Sequence, residues 1–150
     1  MKEKEAENIY NKIVKEVIVP LTGNGSTFMS ELNGIGKKLL SVKFKGVFPS
    51  DQIPKLNDLA PYCILNLDRS NQPGSHWIAM AKHGDNCILF DSFGRPYKDI
   101  IPNIRFSGNG RIFDTDYDAN QKVTEENCGA KSLAFLLFFD KYGFDDAMLI

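Results

Sequence analysis

The feature that most constrains the fold is a hairpin pattern over residues 76–93. Two short apolar segments, HWIAMAK at 76–82 and CILFDSF at 87–93, flank the polar sequence HGDN at 83–86. Apolar runs of this length bounded by turn residues are typical of buried strands, and a Gly-Asp turn favours antiparallel pairing. A tight turn at 83–86 pairs residues whose numbers sum to about 169. The pattern therefore predicts two adjacent strands in a defined register.

The rest of the chain alternates between helical and strand-like patterns. Ile9, Ile13 and Val17 lie four apart, with Tyr10 and Val14 beside them, and this stripe predicts an amphipathic helix over 6–19 that ends at Pro20. Similar spacing predicts a second helix over about 28–40. The apolar run SLAFLLFF soon after Cys128 predicts a buried final helix. Further strands are predicted at 42–48, 62–67 and 111–113, and a loop is predicted at 114–126. Helices, then clustered strands, then a core helix indicate an α+β fold.

The composition fits a folded chain and narrows its setting. The chain has 150 residues, of which 43% are hydrophobic and 25% are charged, which allows a sizeable core. A net charge of −1 provides no general basic field for nucleic acid. No apolar run approaches the roughly 20 residues that a spanning helix needs. The charged N-terminus lacks the apolar region of a signal peptide, so a cytosol-like compartment is expected.

The three cysteines do not form a pattern typical of a disulfide scaffold or a zinc site. Their number is odd, no CxxC pair occurs, and His76 and His83 lie seven residues apart, too far for a zinc-binding histidine pair. We therefore expect no metal or other cofactor. Cys63 and Cys87 lie inside apolar runs and are predicted to be buried strand residues. Cys128 has polar neighbours before it and a helix after it.

Cys128 stands where a helix is predicted to begin. Asn127 is a good N-cap, so the helix should begin at Cys128 or Gly129. The partial positive charge of a helix N-terminus favours a thiolate, and its free N–H groups can bind an oxyanion. Gly129 leaves room for a substrate. Gln121, in the preceding loop, could bring a side-chain amide to the same oxyanion.

A thiol nucleophile also needs a base and an acceptor that orients the base. His76 opens one strand of the hairpin, and the register places Asp91 diagonally across from it. Diagonal neighbours lie about 7 Å apart, within reach of a side-chain contact. We therefore predict a hydrogen bond from His76 Nδ1–H to Asp91.

Each of these residues also has an ordinary structural interpretation. A histidine at a strand end is structural in most proteins, and Asp91 could cap a turn. Gln121 could be solvated, and Cys128 could fill the core or bind a metal. The sequence pattern leaves open whether the hairpin and the final helix meet.

The order His-Trp, Asp, Gln and Cys-Gly resembles the cysteine proteases grouped around adenovirus protease (adenain) and the ubiquitin-like-protein proteases. The likeness is greatest to the adenain branch. It is carried by GSHW at 74–77, ILFDSFG at 88–94, FKGVFPS at 44–50, and Gln121 seven residues before Cys128. It covers about Gly25 to Tyr142, so residues 1–24 would be an N-terminal helical extension and 25–150 the protease domain.

The resemblance implies a role for each matching residue. Cys128 would be the nucleophile, His76 its general base, and Asp91 the group that orients His76. Gln121 and the Cys128 backbone N–H would form the oxyanion hole. The implied fold is an adenain-like, papain-related one, with a mixed central sheet and the Cys-bearing helix packed against it. Trp77 would pack beside the site, as a core aromatic or a substrate contact. The candidate substrate-binding residues are Gly74, Trp77 and Gly129.

The implied activity is that of a cysteine endopeptidase that cleaves after small residues, usually glycine. For a viral member the substrates would be capsid and core precursor proteins, and the enzyme would act in the virion and in the host cytoplasm or viral factory. A ubiquitin-like-protein deconjugase and an acyltransferase of the same fold are the alternatives, and a catalytically idle binding module is a further one.

Two features depart from the adenain pattern. No cysteine lies between Cys87 and Cys128, the region where the partner for a disulfide-linked activating peptide would fall. The near-neutral net charge also weakens the case for activation by DNA. We hypothesise that the N-terminal helix packs in cis in place of an activating peptide, because it has an apolar stripe.

Overall fold

The fold is built on a five-stranded mixed sheet with the strand order β1-β2-β3-β4-β5. The computed structural model describes residues 1–22, 29–67, 76–101, 104, 110–115 and 128–150. The strands are β1 (Phe44–Pro49), β2 (Tyr62–Asn66), β3 (Trp77–His83), β4 (Asn86–Phe90) and β5 (Ile112–Asp114). The two outer pairs, β1–β2 and β4–β5, are parallel, whereas β2–β3 and β3–β4 are antiparallel. The predicted α+β class and mixed sheet are therefore confirmed.

Helices flank the sheet at both ends of the chain. The α-helices are α1 (Glu3–Lys12), α2 (Val19–Thr22), α3 (Met29–Leu40), α4 (Tyr97–Ile100), α5 (Cys128–Tyr142) and α6 (Phe144–Ala147). A π-helical segment, Ile13–Ile18, joins α1 to α2, and a 3₁₀ turn, Ser41–Lys43, follows α3. Within the ranges given above, none of these helices combines the length and apolar character needed to cross a membrane.

The hairpin has the predicted register. Ala79 pairs with Phe90 and His83 pairs with Asn86, so the paired numbers sum to 169. The connection is a two-residue turn, and Gly84 has a φ of +59° at its first position. A positive φ at this point is easy for glycine and matches the twist of the two strands. The local pattern therefore positions every residue along the two strands.

The two faces of the sheet are covered differently. In β3, Trp77, Ala79 and Ala81 belong to the core on the side of α5, whereas Ile78 and Met80 belong to a second cluster on the other side. This alternation follows from the period of two along a strand. Cys63 and Cys87 lie in the second cluster, which confirms that they are buried strand residues.

The N-terminal helix does not end at Pro20 as predicted, but continues to Thr22. The π-helical segment before Pro20 widens the preceding turn, as shown by the Val19 N–H that donates to the Val14 carbonyl five residues earlier. A wider turn relieves the clash of a proline ring with the helix and accommodates its missing N–H.

The predicted apolar stripe of this helix is also rotated. The fully or nearly fully buried side chains are Ala6, Tyr10, Val14 and Ile18, whereas Val17 is 39% exposed. The buried residues share one core with α5. The segment expected as an N-terminal extension therefore packs as an integral part of that core.

The final helix begins at Cys128, in agreement with the sequence prediction, and is buried along most of its length. The rings of Phe135 on α5 and Phe90 on β4 stack with centroids 4.6 Å apart. The Ser132 hydroxyl donates to the Trp77 backbone carbonyl at 3.2 Å. These contacts bring the hairpin and the cysteine-bearing helix together, which the sequence pattern alone left open.

Candidate active site

His76 lies directly before β3, where the hairpin register sets it opposite Phe93. Its side chain is buried, with only 6% of the residue exposed. The imidazole stacks on the Phe93 ring at a centroid distance of 4.1 Å and an interplanar angle of 22°. The stack fixes the plane of the imidazole and so limits the directions in which its two nitrogens can form hydrogen bonds.

Asp91 follows β4 and lies within hydrogen-bonding distance of His76, as the diagonal register predicts. The contact joins His76 Nε2 to Asp91 Oδ1 at 2.5 Å. The prediction that Nδ1 makes this bond is therefore wrong. The far nitrogen of the ring reaches the diagonal neighbour, and Nδ1, nearer the backbone, is left on the other side. Sequence register fixes which residues meet, but not how a ring is turned.

Asp91 is held by more than His76. Its Oδ1 also accepts from the Phe93 backbone N–H at 3.1 Å. Its Oδ2 accepts from Arg95 Nε at 2.8 Å and from the Arg95 backbone N–H at 3.3 Å. Sequence reasoning missed Arg95. The available signal was an arginine four residues after the acid, within FGRP, where a short turn can fold it back.

Cys128 occupies the first position of α5 and is 4% exposed. It lies close enough to His76 to help raise the pKa of the imidazole. The buried Nδ1 of His76 has no hydrogen-bond partner within the described part of the chain, so this nitrogen is available to the sulfur. The N-terminus of α5 adds a partial positive charge beside the same sulfur. Cys128, His76 and Asp91 thus form one connected set.

The protonation of the set follows from opposing effects. Burial disfavours the imidazolium, but the hydrogen bond to Asp91, the interaction with Cys128 and the charges of both residues outweigh it, so the pKa of His76 is raised above 6.5. Burial also disfavours the carboxylate, but hydrogen bonds from His76, Arg95 and Phe93 lower the pKa of Asp91 below 3.8. Between pH 3.8 and pH 6.5 an ionised Asp91 therefore lies beside a protonated His76.

The other predicted site residues have mixed outcomes. Gln121 and Gly74 lie outside the described residues, so their roles stay predictions. Trp77 is 7% exposed and packs in the core beneath α5, which is its structural interpretation. Gly129 is buried at the second position of α5, next to the thiol. The described residues contain no group of three His, Cys, Asp or Glu side chains placed to hold a metal ion.

No protein-family model matches the chain, and no curated protein matches it at a significant level.

Proposed function

We propose that this protein is a cysteine endopeptidase. The observation that carries the proposal is the buried set of Cys128, His76 and Asp91, in which Nε2 of the histidine contacts the carboxylate, Nδ1 has no partner among the described residues, and the thiol lies near the imidazole. A nucleophile, a base and an orienting acceptor in this order are the parts that thiol-dependent acyl transfer requires.

The proposed reaction runs in two steps. The Cys128 sulfur attacks the scissile carbonyl carbon, while the proton of the thiol resides on His76 Nδ1. The carbon–nitrogen bond breaks, the proton passes to the leaving amine, and a thioester remains on Cys128. His76 then takes a proton from water, whose oxygen attacks the thioester. The carbon–sulfur bond breaks, the carboxylic acid product leaves, and His76 returns the proton to the Cys128 sulfur. Asp91 stabilises the imidazolium at each stage.

The oxyanion would be bound at the start of α5. The first N–H groups of an α-helix have no intrahelical acceptor, so the Cys128 backbone N–H is suited to this role. The Gln121 side-chain amide is the proposed second donor. Its support is the seven-residue spacing to Cys128 in the resemblance to adenain-like proteases.

The proposed substrates are proteins cut after small residues, usually glycine. The resemblance to adenain-like proteases supports this preference and supports viral capsid and core precursors as the physiological substrates. The proposed location of the enzyme is accordingly the virion and the infected host cytoplasm or viral factory.

A substrate panel tests the reaction class. The protein is offered a peptide containing Gly-Gly, a ubiquitin-like-protein conjugate, and acetyl-CoA with an acceptor protein, and products are measured by mass spectrometry. Cleavage of the peptide that Cys128→Ala abolishes supports the proposal. Cleavage of the conjugate alone would make the protein a deconjugase, and acetyl transfer without hydrolysis would make it an acyltransferase. Activity that survives Cys128→Ala would overturn the site.

A further inference from the structure

We propose that Arg95 is a positioning residue that holds His76 in its working orientation through Asp91 and Phe93. The inference rests on the proposed function, because it assigns a purpose to the orientation of His76. Arg95 does not contact the reacting atoms. Arg95 acts on His76 indirectly, because it contacts Asp91 and Phe93 and each of these contacts the imidazole.

The first contact is an ion pair that fixes the carboxylate of Asp91. Arg95 Nε holds Oδ2 at 2.8 Å, while His76 Nε2 holds Oδ1 at 2.5 Å. Each oxygen also accepts one backbone N–H, from Arg95 and from Phe93 respectively. Because both oxygens carry a side-chain and a backbone donor, the carboxylate cannot rotate without breaking a hydrogen bond at each end. The oxygen facing His76 therefore stays in place.

The second contact passes through the Phe93 ring. The guanidinium carbon of Arg95 lies 4.9 Å from the Phe93 ring centroid, within the range of a cation–π interaction. The same ring stacks on His76 at 4.1 Å. Arg95 thus restrains the aromatic surface that sets the plane of the imidazole. With Asp91 bound to Nε2 and the plane of the ring held by Phe93, the orientation of the unpaired Nδ1 is set as well.

A small cavity beside Asp91 brings a second carboxyl group near Arg95. The cavity has a volume of about 120 Å³ and is lined by Asp91, Arg95, Asp114 and Thr115, among others. Burial, and repulsion from Asp91, raise the pKa of Asp114, although a hydrogen bond from the Tyr97 N–H opposes this. Two carboxyl groups therefore face this cavity, and Arg95 is the cation in its lining.

The charged and titratable groups around Asp91 come from four parts of the fold. His76 precedes β3, Arg95 lies in the turn after Asp91, Asp114 ends β5, and Cys128 on α5 reaches Asp91 through His76. The side chain of Arg95 is 41% exposed, so a polar replacement leaves no buried cavity. Its substitution is therefore expected to change the site and to leave the fold intact.

The test compares Arg95→Gln and Arg95→Lys with a matched control, Arg111→Gln. Arg111 is exposed, so its loss changes the net charge equally without touching Asp91. Two readouts are taken: the rate at which iodoacetamide alkylates Cys128 as a function of pH, followed by peptide mass, and kcat and KM for the Gly-Gly peptide. Thermal unfolding of each variant verifies that it is folded.

We expect Arg95→Gln to lower the alkylation rate of Cys128 at about pH 6, and to lower kcat, each between about tenfold and a hundredfold, because a misplaced catalytic group costs up to about that much. KM should change little. Arg95→Lys should restore part of the loss, since it keeps the charge but lacks the planar fork. Arg111→Gln should behave as the wild type.

The proposal is overturned if folded Arg95→Gln matches Arg111→Gln in both readouts. Should Arg95→Gln not fold, an Arg95→Lys variant with wild-type alkylation and kcat overturns it in the same way. A wild-type protein that cleaves no peptide, but whose Cys128 alkylation still depends on Arg95, contradicts the endopeptidase assignment and supports the positioning role. Peptide cleavage that does not depend on Arg95 contradicts the positioning role and supports the endopeptidase assignment.

Discussion

The two faces of the central sheet both enclose cysteines, but they surround the sulfur with different chemistry. Cys63 and Cys87 are 0% and 1% exposed in an apolar cluster on one face. Burial raises the pKa of both thiols, that of Cys87 to about 12. Cys128 is 4% exposed on the other face, yet its neighbour is the buried His76.

The difference teaches that burial alone does not decide whether a thiol is inert. All three sulfurs are removed from water, and the two strand cysteines therefore keep their protons. Cys128 has a different neighbour, because a cation can form beside it, held by Asp91 on its far side. The helix start that carries Cys128 adds further positive potential. The partner of a buried thiol, and not its exposure, marks the candidate nucleophile.

Replacing the cysteines one at a time tests the difference between the two faces most directly. Cys128→Ala should lower kcat/KM for the Gly-Gly peptide by more than about a thousandfold, because removal of a nucleophile leaves only binding and oxyanion contacts. Cys63→Ala and Cys87→Ala serve as matched controls and should retain activity, since their sulfurs face the opposite cluster. Steady-state hydrolysis measures all three. If only Cys63→Ala or Cys87→Ala abolished activity, the nucleophile would lie on the opposite face of the sheet and the assignment of Cys128 would be wrong.

Removing the base should give the next largest effect. His76→Gln should lower kcat/KM by about a hundredfold to ten-thousandfold, the usual contribution of a positioned general base. His83→Gln is the control, because His83 ends β3 at the turn and stacks on Phe144 at 4.8 Å, away from Cys128. Equal losses in the two histidine variants would show that the effect is not specific to the site.

The packing between α1, α5 and the sheet can be weakened without substituting Cys128, His76 or Asp91. Tyr10 in α1 donates to the Lys131 carbonyl in α5 and packs edge-on against Phe90 in β4. Tyr10→Ala should lower the free energy of unfolding by about 3–5 kcal/mol, as for other buried aromatic truncations. Tyr10→Phe, which loses only the hydroxyl, should cost about 1 kcal/mol. Urea denaturation measures both.

A deletion tests the hypothesis that the N-terminal helix packs in cis in place of an activating peptide. Deletion of residues 1–22 should unfold or inactivate the protein, because this segment supplies four fully or nearly fully buried core side chains. A deletion variant with wild-type stability and activity would contradict the hypothesis.

The smallest expected effect is a pH dependence of stability. The pKa of His76 is raised above 6.5 in the folded state, so its contribution is complete below pH 6.5 and is lost as the pH rises through the raised value. The pKa of Asp91 is lowered below 3.8, so its contribution is complete above pH 3.8 and is lost as the pH falls through the lowered value. The pair should therefore stabilise the fold most between pH 3.8 and pH 6.5.

Urea denaturation of the wild type and of His76→Gln across this pH range isolates the contribution of the pair. The difference in unfolding free energy between the two proteins should shrink as the pH rises above 6.5. A difference that grows with rising pH would show that the neutral imidazole is the preferred form.

The sequence predicted the parts of the site that local rules decide. The turn at Gly84 sets the hairpin register, which places Asp91 diagonally from His76, and the polar-to-apolar change at Cys128 marks the helix start. These features depend on neighbours in the chain, so a pattern of one or two residue types suffices.

What the sequence did not predict depends on packing between distant segments. The choice of Nε2 for the Asp91 contact follows from where Phe93 and α5 hold the ring. The contact between Arg95 and Asp91 depends on how the Arg95 side chain folds back over the turn, which the residue order alone does not specify. The continuation of the N-terminal helix past Pro20 needed the π-helical segment, which has no short sequence signature.

The central claim is that Cys128, activated by His76, forms a covalent acyl intermediate. Its most direct test is to mix the protein with an activated ester of an acylated Gly-Gly peptide, quench in acid, and map the modified peptide by mass. We expect a burst of released alcohol and an acyl group on Cys128, strongly reduced in His76→Gln and unchanged in His83→Gln. An acyl group on Cys63 or Cys87, or none on any cysteine, would contradict the claim.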